Sequence, residues 1–220
     1  MSQVHNFKME ILGQLARIAH ALSSPSRLAL LELVAQGERS VDDLARLTGL
    51  SVANTSKHLS ELRQAGLVRA RKEGLRVFNV VAGPDAVVLV SALRQVAEGR
   101  NAEVNQLIRT FVTSRDELEP IPAAELLERV RDGLVTVLDV RPPEEFAAGH
   151  LPGAINIPPG KLAGRIGKLP KGREVVAYCR GPYCLFSVEA VILLREKGRK
   201  ARRLEDGFPE WKAAGLPVEV

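Results

Sequence analysis

The chain of 220 residues is 45% hydrophobic and 26% charged, which is typical of a globular protein and excludes a disordered one. Its formal net charge of +5 comes from residues 1–115, which hold 15 basic and 10 acidic side chains, whereas residues 116–220 hold 16 of each. Positive charge in the first half is expected if that half binds phosphate. No apolar stretch could span a membrane and Met1–Asn6 has no secretion signal, so we expect a cytoplasmic protein with no membrane partner.

The first half predicts a series of helices. Apolar residues at helical spacing indicate a helix over Phe7–Leu22, and Pro25 lies in the first turn of a second helix. Ser40 and Ser51 are placed to cap a third and a fourth helix, with a turn at Gly49 between them. Two helices joined by so short a turn are typical of helix-turn-helix DNA-binding proteins.

Polar and basic residues crowd the start of the fourth helix, which is the part of a recognition helix that enters the major groove. A hairpin centred on Glu73-Gly74 follows, and its basic residues would contact the phosphate backbone. A basic turn is also common on ordinary solvated loops, and His58 could instead cap the helix or pack beneath it. The residues expected to bind DNA are Asn54, Ser56, Lys57 and His58 at base edges, with Arg69, Arg71, Lys72 and Arg76 at phosphates.

Four stretches carry a family resemblance, namely Ala21–Arg27, Ser56–Val68, Glu73-Gly74 and Val77-Phe78. On these residues, the segment 8–100 resembles an ArsR-type winged-helix repressor. The resemblance implies a homodimer on double-stranded operator DNA, with dimer contacts from the first helix and from a helix near Pro84–Glu98. The third helix has no thiol and the last helix of this half has no histidine, so we expect no metal site and no cofactor.

Beyond a polar, proline-containing stretch near residues 116–120, short apolar strands alternate with helices. We therefore predict two domains. A mainly α winged helix-turn-helix domain for DNA binding and dimerisation occupies residues 1–115, and an α/β domain with a mainly parallel sheet occupies residues 116–220. In such a sheet the functional site lies at the carboxyl ends of the strands.

Both cysteines lie in the hexapeptide Cys179–Cys184, between a predicted buried strand and a predicted helix. Loop N–H groups and the helix dipole are expected to lower the pKa of the Cys179 thiol and to keep it reactive and accessible to solvent. Space-filling core cysteines are the alternative, although Gly181 and Pro182 favour a turn. The C-x4-C spacing without a second pair does not fit zinc.

Several motifs of the second half are characteristic together: they are Leu138–Arg141, Glu144–Phe146, Gly149–Pro158, Tyr178–Arg180, Leu204–Phe208 and Trp211. On these motifs, residues 120–218 resemble a rhodanese (sulfurtransferase) domain. The resemblance implies that Cys179 accepts a sulfane sulfur as a persulfide in a catalytic loop that also contains Arg180. Asp139, Arg141 and Glu144 are expected to form an ion-pair network that braces this loop.

The loop departs from the rhodanese pattern, because Cys184 stands where many rhodaneses have arginine. This change argues against efficient turnover of an anionic donor such as thiosulfate, and it offers a second thiol that could form a disulfide with Cys179.

Three functions remain open. The first is a DNA-binding regulator, expected to be a repressor, that senses a small sulfur donor or an oxidant. The second is a sulfurtransferase, or a thiol-dependent reductase of an oxyanion such as arsenate, that carries a DNA-binding domain. The third is a domain kept as a dimerisation or partner-binding surface. We favour the first, because one chain joins a DNA-binding half without a metal site to a half with reactive thiols.

Overall fold

A computed structural model of the chain describes residues 3–116 and 119–220. The chain packs into two compact units, of which the first ends at Ala86 and the second runs from Val87 to Val220. The domain boundary that we place between residues 115 and 116 stays a prediction, and the stretch around it includes residues 117–118, which lie outside the described residues.

In the described part of the first unit, helices surround a small antiparallel sheet. The elements are α1 (Gln3–Leu22), α2 (Pro25–Gln36), β1 (Arg39–Ser40), α3 (Val41–Thr48), α4 (Val52–Gln64), β2 (Val68–Glu73), β3 (Arg76–Val81) and the start of α5 (Pro84–Arg100). The hydroxyls of Ser40 and Ser51 accept hydrogen bonds from backbone N–H groups at 3.1 and 3.2 Å, so both predicted caps are confirmed. Gly49 makes the turn between α3 and α4 with a φ of 71°, which favours glycine.

The wing is the hairpin of β2 and β3, in which Glu73 pairs with Arg76 across a turn that contains Gly74. The strand order β1-β3-β2 adds a third strand, because Arg39 pairs with Asn79 on the far side of β3. We did not predict β1, since two residues are too few to show an alternating pattern. The predicted winged helix-turn-helix fold is confirmed.

The described part of the second unit contains a parallel sheet of order β5-β4-β6-β7 with helices on both faces. Beyond α5, the elements are α6 (Ala102–Ile108), a π-helical segment (Arg109–Thr113), α7 (Ala123–Arg131), β4 (Val135–Asp139), α8 (Pro143–Ala147), β5 (Ile155–Asn156), α9 (Pro159–Leu162), a 3-10 turn (Ile166–Lys168), β6 (Glu174–Tyr178), α10 (Leu185–Glu196), β7 (Ala201–Arg203) and α11 (Phe208–Ala213). The predicted α/β fold is therefore confirmed.

Alternating side chains of β6 enter different buried clusters, as expected for a strand covered on both faces. Val175 and Ala177 face one cluster together with Cys179, whereas Val176 and Tyr178 face the other. Among the described helices, none combines the length and the apolar character that crossing a membrane requires.

Candidate functional site

The cysteine loop connects the carboxyl end of β6 to the start of α10. Within it, the Cys184 N–H donates to the carbonyl of Gly181 at 3.1 Å and closes a tight turn. Cys184 is also the N-cap residue of α10, and its carbonyl accepts a hydrogen bond from the Ser187 hydroxyl at 2.9 Å. The loop thus stands where we predict it, at the carboxyl end of a parallel strand and directly before a helix.

Cys179 and Cys184 are joined by a disulfide bond, with their Cα atoms 6.1 Å apart, a separation that disulfides commonly span. Cys179 is only 1% exposed, and the half-buried Cys184 packs against its cluster. Our expectation of a solvent-accessible Cys179 is therefore wrong for this oxidised form. The cause is the alternation of β6, which directs Cys179 into the same cluster as Val175 and Ala177.

Arg180, which we expect to be part of the catalytic loop, pairs with a carboxylate on α8. Its Nε lies 3.1 and 3.0 Å from the two carboxylate oxygens of Glu145, and its Nη2 lies 2.6 Å from Oε1. Glu145 is buried, whereas Glu144, which we expected in the network, is exposed. This part of the prediction is corrected: Glu145, and not Glu144, supports the loop, because only Glu145 faces inward from α8.

Asp139 and Arg141 form a buried network at the end of β4. The Arg141 Nη2 lies 2.6 Å from the Asp139 carboxylate and 2.8 Å from the Gly149 carbonyl. The hydroxyl of Tyr178, the residue before Cys179, donates to Asp139 and accepts from the Leu151 N–H at 3.2 Å. Burial and the neighbouring Asp139 raise the pKa of Tyr178 well above its usual range, so the phenol remains a hydrogen-bond donor.

Gly207 lets a neighbouring segment approach the cysteine loop closely. A Cβ at this position would overlap the backbone of Arg180 and Gly181. The next residue, Phe208, donates its N–H to the carbonyl of Cys179 at 3.1 Å. Backbone contact therefore holds the loop in addition to the Arg180–Glu145 pair, and only glycine permits that approach.

On α4, the side chains of Asn54, Ser56 and Lys57 are exposed, as base contacts would require. His58 is half-buried, and its Nδ1 is buried without a hydrogen-bond partner among the described residues. The structure thus places three of the four predicted base-contacting residues on an open surface and turns His58 partly inward.

The predicted phosphate-contacting residues Arg69, Arg71, Lys72 and Arg76 are all exposed on the wing. Arg71 is already paired: its Nε and Nη2 lie 3.1 and 2.6 Å from the Glu38 carboxylate, and its Nη1 lies 2.6 Å from Glu73. The hydrogen bond from Arg71 lowers the pKa of Glu38, so this carboxylate stays charged. Within the described residues, Arg69 and Lys72 make no such ion pair. We call these wing residues and the exposed side chains of α4, which are predicted to contact DNA, the DNA-facing surface.

Comparison with known proteins places both units in families. The arsR family of bacterial regulatory proteins matches residues 24–70, and the rhodanese-like domain matches residues 122–214. The HTH-type transcriptional regulator Rv0324 of Mycobacterium tuberculosis is 44% identical over 212 residues, which cover 96% of this chain and 93% of that protein. The chain belongs to the HTH-type transcriptional regulators of the ArsR family.

Other relatives match one part of this regulator. A sulfurtransferase of Allochromatium vinosum is 32% identical over 99 residues, which cover 44% of this chain and 92% of that protein. The solution structure of the homodimeric winged helix-turn-helix DNA-binding domain of Mb0332 from Mycobacterium bovis has 38% identity and a TM-score of 0.41. It covers 44% of the regulator and 89% of that chain.

Arg27 of the regulator is a site-supporting residue that we did not predict. Its buried guanidinium donates to the carbonyls of Ala21 and His20 at 2.6 and 2.7 Å, and it pairs with Glu61 of α4. One side chain therefore ties the C-terminal end of α1 to α4. The motif Ser24-Pro25-Ser26-Arg27 was visible in the sequence, but the carbonyl partners of Arg27 depend on the packing of α1.

Proposed function

We propose that this regulator is a cytoplasmic, homodimeric repressor whose Cys179–Cys184 pair senses sulfane sulfur or oxidants and changes its affinity for operator DNA. The observation that carries the proposal is the bond between the only two cysteines of the chain, in the loop of a rhodanese-like domain attached to a DNA-binding unit. A disulfide that closes a loop at a helix N-terminus gives the chain two covalent states.

The sensing step balances with a hydropersulfide donor, RSSH. One cysteine thiolate attacks the outer sulfur of the donor, so the donor S–S bond breaks, RSH leaves and the cysteine becomes a persulfide. The second thiolate attacks the cysteine sulfur of that persulfide, forms the Cys179–Cys184 bond and expels hydrosulfide. The two thiols lose two electrons, the sulfane sulfur gains them, and the two thiol protons end on RSH and H2S.

Apolar side chains left exposed on two helices support self-association. On α1 these are Phe7, Met9, Ile11, Leu12 and Leu15, and on α5 they are Val88, Leu89, Leu93 and Val96. Exposed apolar faces of this kind usually mark protein–protein contacts. Sedimentation velocity is expected to give a dimer, and introducing charge by Leu15→Glu and Leu93→Glu is expected to give monomers.

DNA binding tests the proposal directly. The probe is a fluorescent fragment from upstream of the regulator's own gene, titrated at fixed salt with protein reduced by dithiothreitol or treated with polysulfide. We expect the two forms to differ in Kd by 5-fold or more, which is the lower end of usual allosteric couplings, about 5–150-fold. Cys184→Ser is the matched control and is expected to bind equally after both treatments. Equal affinity of the two wild-type forms would refute the sensing function.

A sulfurtransferase is the second candidate, because the rhodanese-like match covers residues 122–214 and one relative is named a sulfurtransferase. The Arg180 guanidinium is paired with the Glu145 carboxylate, so its positive charge is neutralised. This pairing disfavours the binding of an anionic sulfur donor. The test is thiocyanate formation from thiosulfate and cyanide. Steady turnover that Cys179→Ser abolishes and Cys184→Ser retains would favour the enzyme over the sensor.

A further inference from the structure

Helix α5 spans the boundary between the two units of the regulator. It begins three residues after the wing strand β3, inside the first unit, and its residues from Val87 onward belong to the second unit.

Within the second unit, α5 contacts the cysteine loop directly. The hydroxyl of Tyr183, the residue before Cys184, donates to the Glu98 carboxylate at 2.6 Å. Tyr183 is 45% exposed, and its partial burial together with this carboxylate raises the pKa of the phenol above its usual range, so the phenol keeps its proton. Since a hydrogen bond to a charged acceptor is stronger than a neutral one, the contact is a specific link between loop and helix.

A second link runs from α5 to the segment around Gly207, which packs against the loop backbone. Arg94, one turn before Glu98, lies 2.9 Å from Asp206 and 3.1 Å from Glu210. Glu210 in turn accepts the N–H of Gly207 at 3.1 Å, and Gly207 packs against the loop backbone. Two adjacent turns of α5 thus hold the cysteine loop and its supporting segment.

We propose that α5 reports the thiol state of the loop, through a Tyr183–Glu98 contact that belongs to the disulfide form and weakens in the dithiol form. The disulfide closes a ring of six residues that includes Tyr183. Opening this ring gives the loop more conformations. Forming the Tyr183–Glu98 contact in the dithiol form then costs more conformational entropy than in the disulfide form. This inference rests on the proposed function, because it names the element through which the cysteine pair acts.

Thermodynamic reciprocity makes the coupling measurable without DNA. If the disulfide favours the Tyr183–Glu98 contact, then the contact favours the disulfide by the same factor. Tyr183→Phe removes the donor and Glu98→Ala removes the acceptor, and neither change touches a sulfur atom. Each is expected to shift the disulfide–dithiol equilibrium toward the dithiol about 5-fold, which is about 20 mV for a two-electron couple.

The experiment equilibrates the full chain with mixtures of reduced and oxidised dithiothreitol, alkylates free thiols and counts the label by mass spectrometry. The control is Glu103→Ala, which removes an exposed carboxylate from the neighbouring helix α6. The double variant Tyr183→Phe/Glu98→Ala is expected to shift no further than Glu98→Ala alone, because Glu98→Ala already removes this hydrogen bond together with the ion pair between Arg94 and Glu98 at 3.9 Å. Unshifted single variants, or shifts that add in the double variant, would overturn the inference.

Two further measurements separate this inference from the sensing function. Hydrogen exchange of residues 87–100 is expected to become faster on reduction in the wild type and to be insensitive to reduction in Glu98→Ala. If the DNA affinity of the wild type is the same in both thiol states while the variants shift the disulfide–dithiol equilibrium, the sensing function is refuted and the coupling through the Tyr183–Glu98 contact is retained. If wild-type DNA affinity responds and the variants keep the wild-type equilibrium, the sensing function stands and the coupling through α5 is refuted.

Discussion

On the DNA-facing surface, cations such as Lys57 and Lys72 are exposed and make no ion pair within the described residues, whereas around the cysteine loop Arg141, Arg180 and Arg94 are each held by carboxylates. Unpaired surface charge suits a polyanion that releases counterions on binding. Paired and largely buried charge instead fixes backbone geometry. The comparison teaches that basic side chains left unpaired on one unit are available for a ligand, whereas basic side chains paired with carboxylates in the other unit position a loop.

The largest test of this contrast is Asp139→Ala. It removes one partner of the buried Asp139–Arg141 ion pair, and breaking a buried pair in this way costs about 3–5 kcal/mol. Urea unfolding followed by the fluorescence of Trp211, the single tryptophan, measures the loss. The control is Glu144→Ala, because Glu144 is exposed, and this substitution should change the unfolding free energy little. Equal effects of the two variants would show that the network does not brace this unit.

Gly207→Ala tests whether backbone contact holds the loop. The added methyl group overlaps the backbone of Arg180 and Gly181, so we expect a loss of about 2 kcal/mol in unfolding free energy and slower disulfide formation. Gly164→Ala is the matched change at an open position. The rates of thiol alkylation and the urea unfolding free energies of both variants are compared. If Gly207→Ala behaves like Gly164→Ala, the backbone of residue 207 does not pack closely against the cysteine loop.

Arg94→Ala tests the ion pairs of α5 through their pH dependence. Burial raises the pKa of Glu210, and Arg94 opposes that rise. Without Arg94 the pKa of Glu210 in the folded state rises further above its unfolded value of about 4.5. The folded protein therefore loses stability as the pH rises from the unfolded to the folded pKa of Glu210, and it regains that stability in acid. We expect a loss of about 2 kcal/mol at pH 7.5 and a smaller one near pH 4.5.

The control for this prediction is a second substitution, Glu210→Gln, in the Arg94→Ala protein. Because it removes the buried charge, it is expected to abolish the extra pH dependence while leaving the Asp206 pair broken. A pH profile parallel to that of the wild type in Arg94→Ala itself would show that Arg94 does not support the Glu210 carboxylate.

The smallest expected effect compares two wing cations. Lys72→Ala removes an unpaired charge, so the slope of log Kobs against log salt should fall by about 0.9, the value for one phosphate contact. Arg71 is engaged by Glu38 and Glu73, so Arg71→Ala should change that slope less. Salt titrations of DNA binding measure both slopes. A larger change for Arg71→Ala would mean that DNA displaces its internal partners.

Features set by local chemistry were predictable from the sequence. The caps at Ser40 and Ser51, the turn at Gly49 and the cysteine loop after β6 depend on residues within a few positions of one another, and all lie where we predicted them. The strand β1 was missed because its two residues carry no pattern. The π-helical segment Arg109–Thr113 was not predicted as a defined helix, because its pattern and the nearby prolines indicate either a linker or a loosely helical connector.

Partner choice in the site was not predictable, because it depends on packing. Glu144 and Glu145 are adjacent in sequence, and only the orientation of α8 determines that Glu145 faces Arg180. Asp139 meets Tyr178 because β4 and β6 pair in parallel with these two residues in register. The contact of Tyr183 with Glu98 joins residues 85 positions apart, which no local pattern reports.

The unequal burial of the two sulfur-bearing residues has a consequence for the route back to the dithiol. An incoming thiol reaches the half-buried Cys184 more easily than the enclosed Cys179, so it forms its mixed disulfide on Cys184 and ejects Cys179 as the leaving thiolate. Reductive reset would therefore be regioselective. Bulky thiols would reset the regulator more slowly than small ones, which would make recovery depend on the size of the cellular reductant.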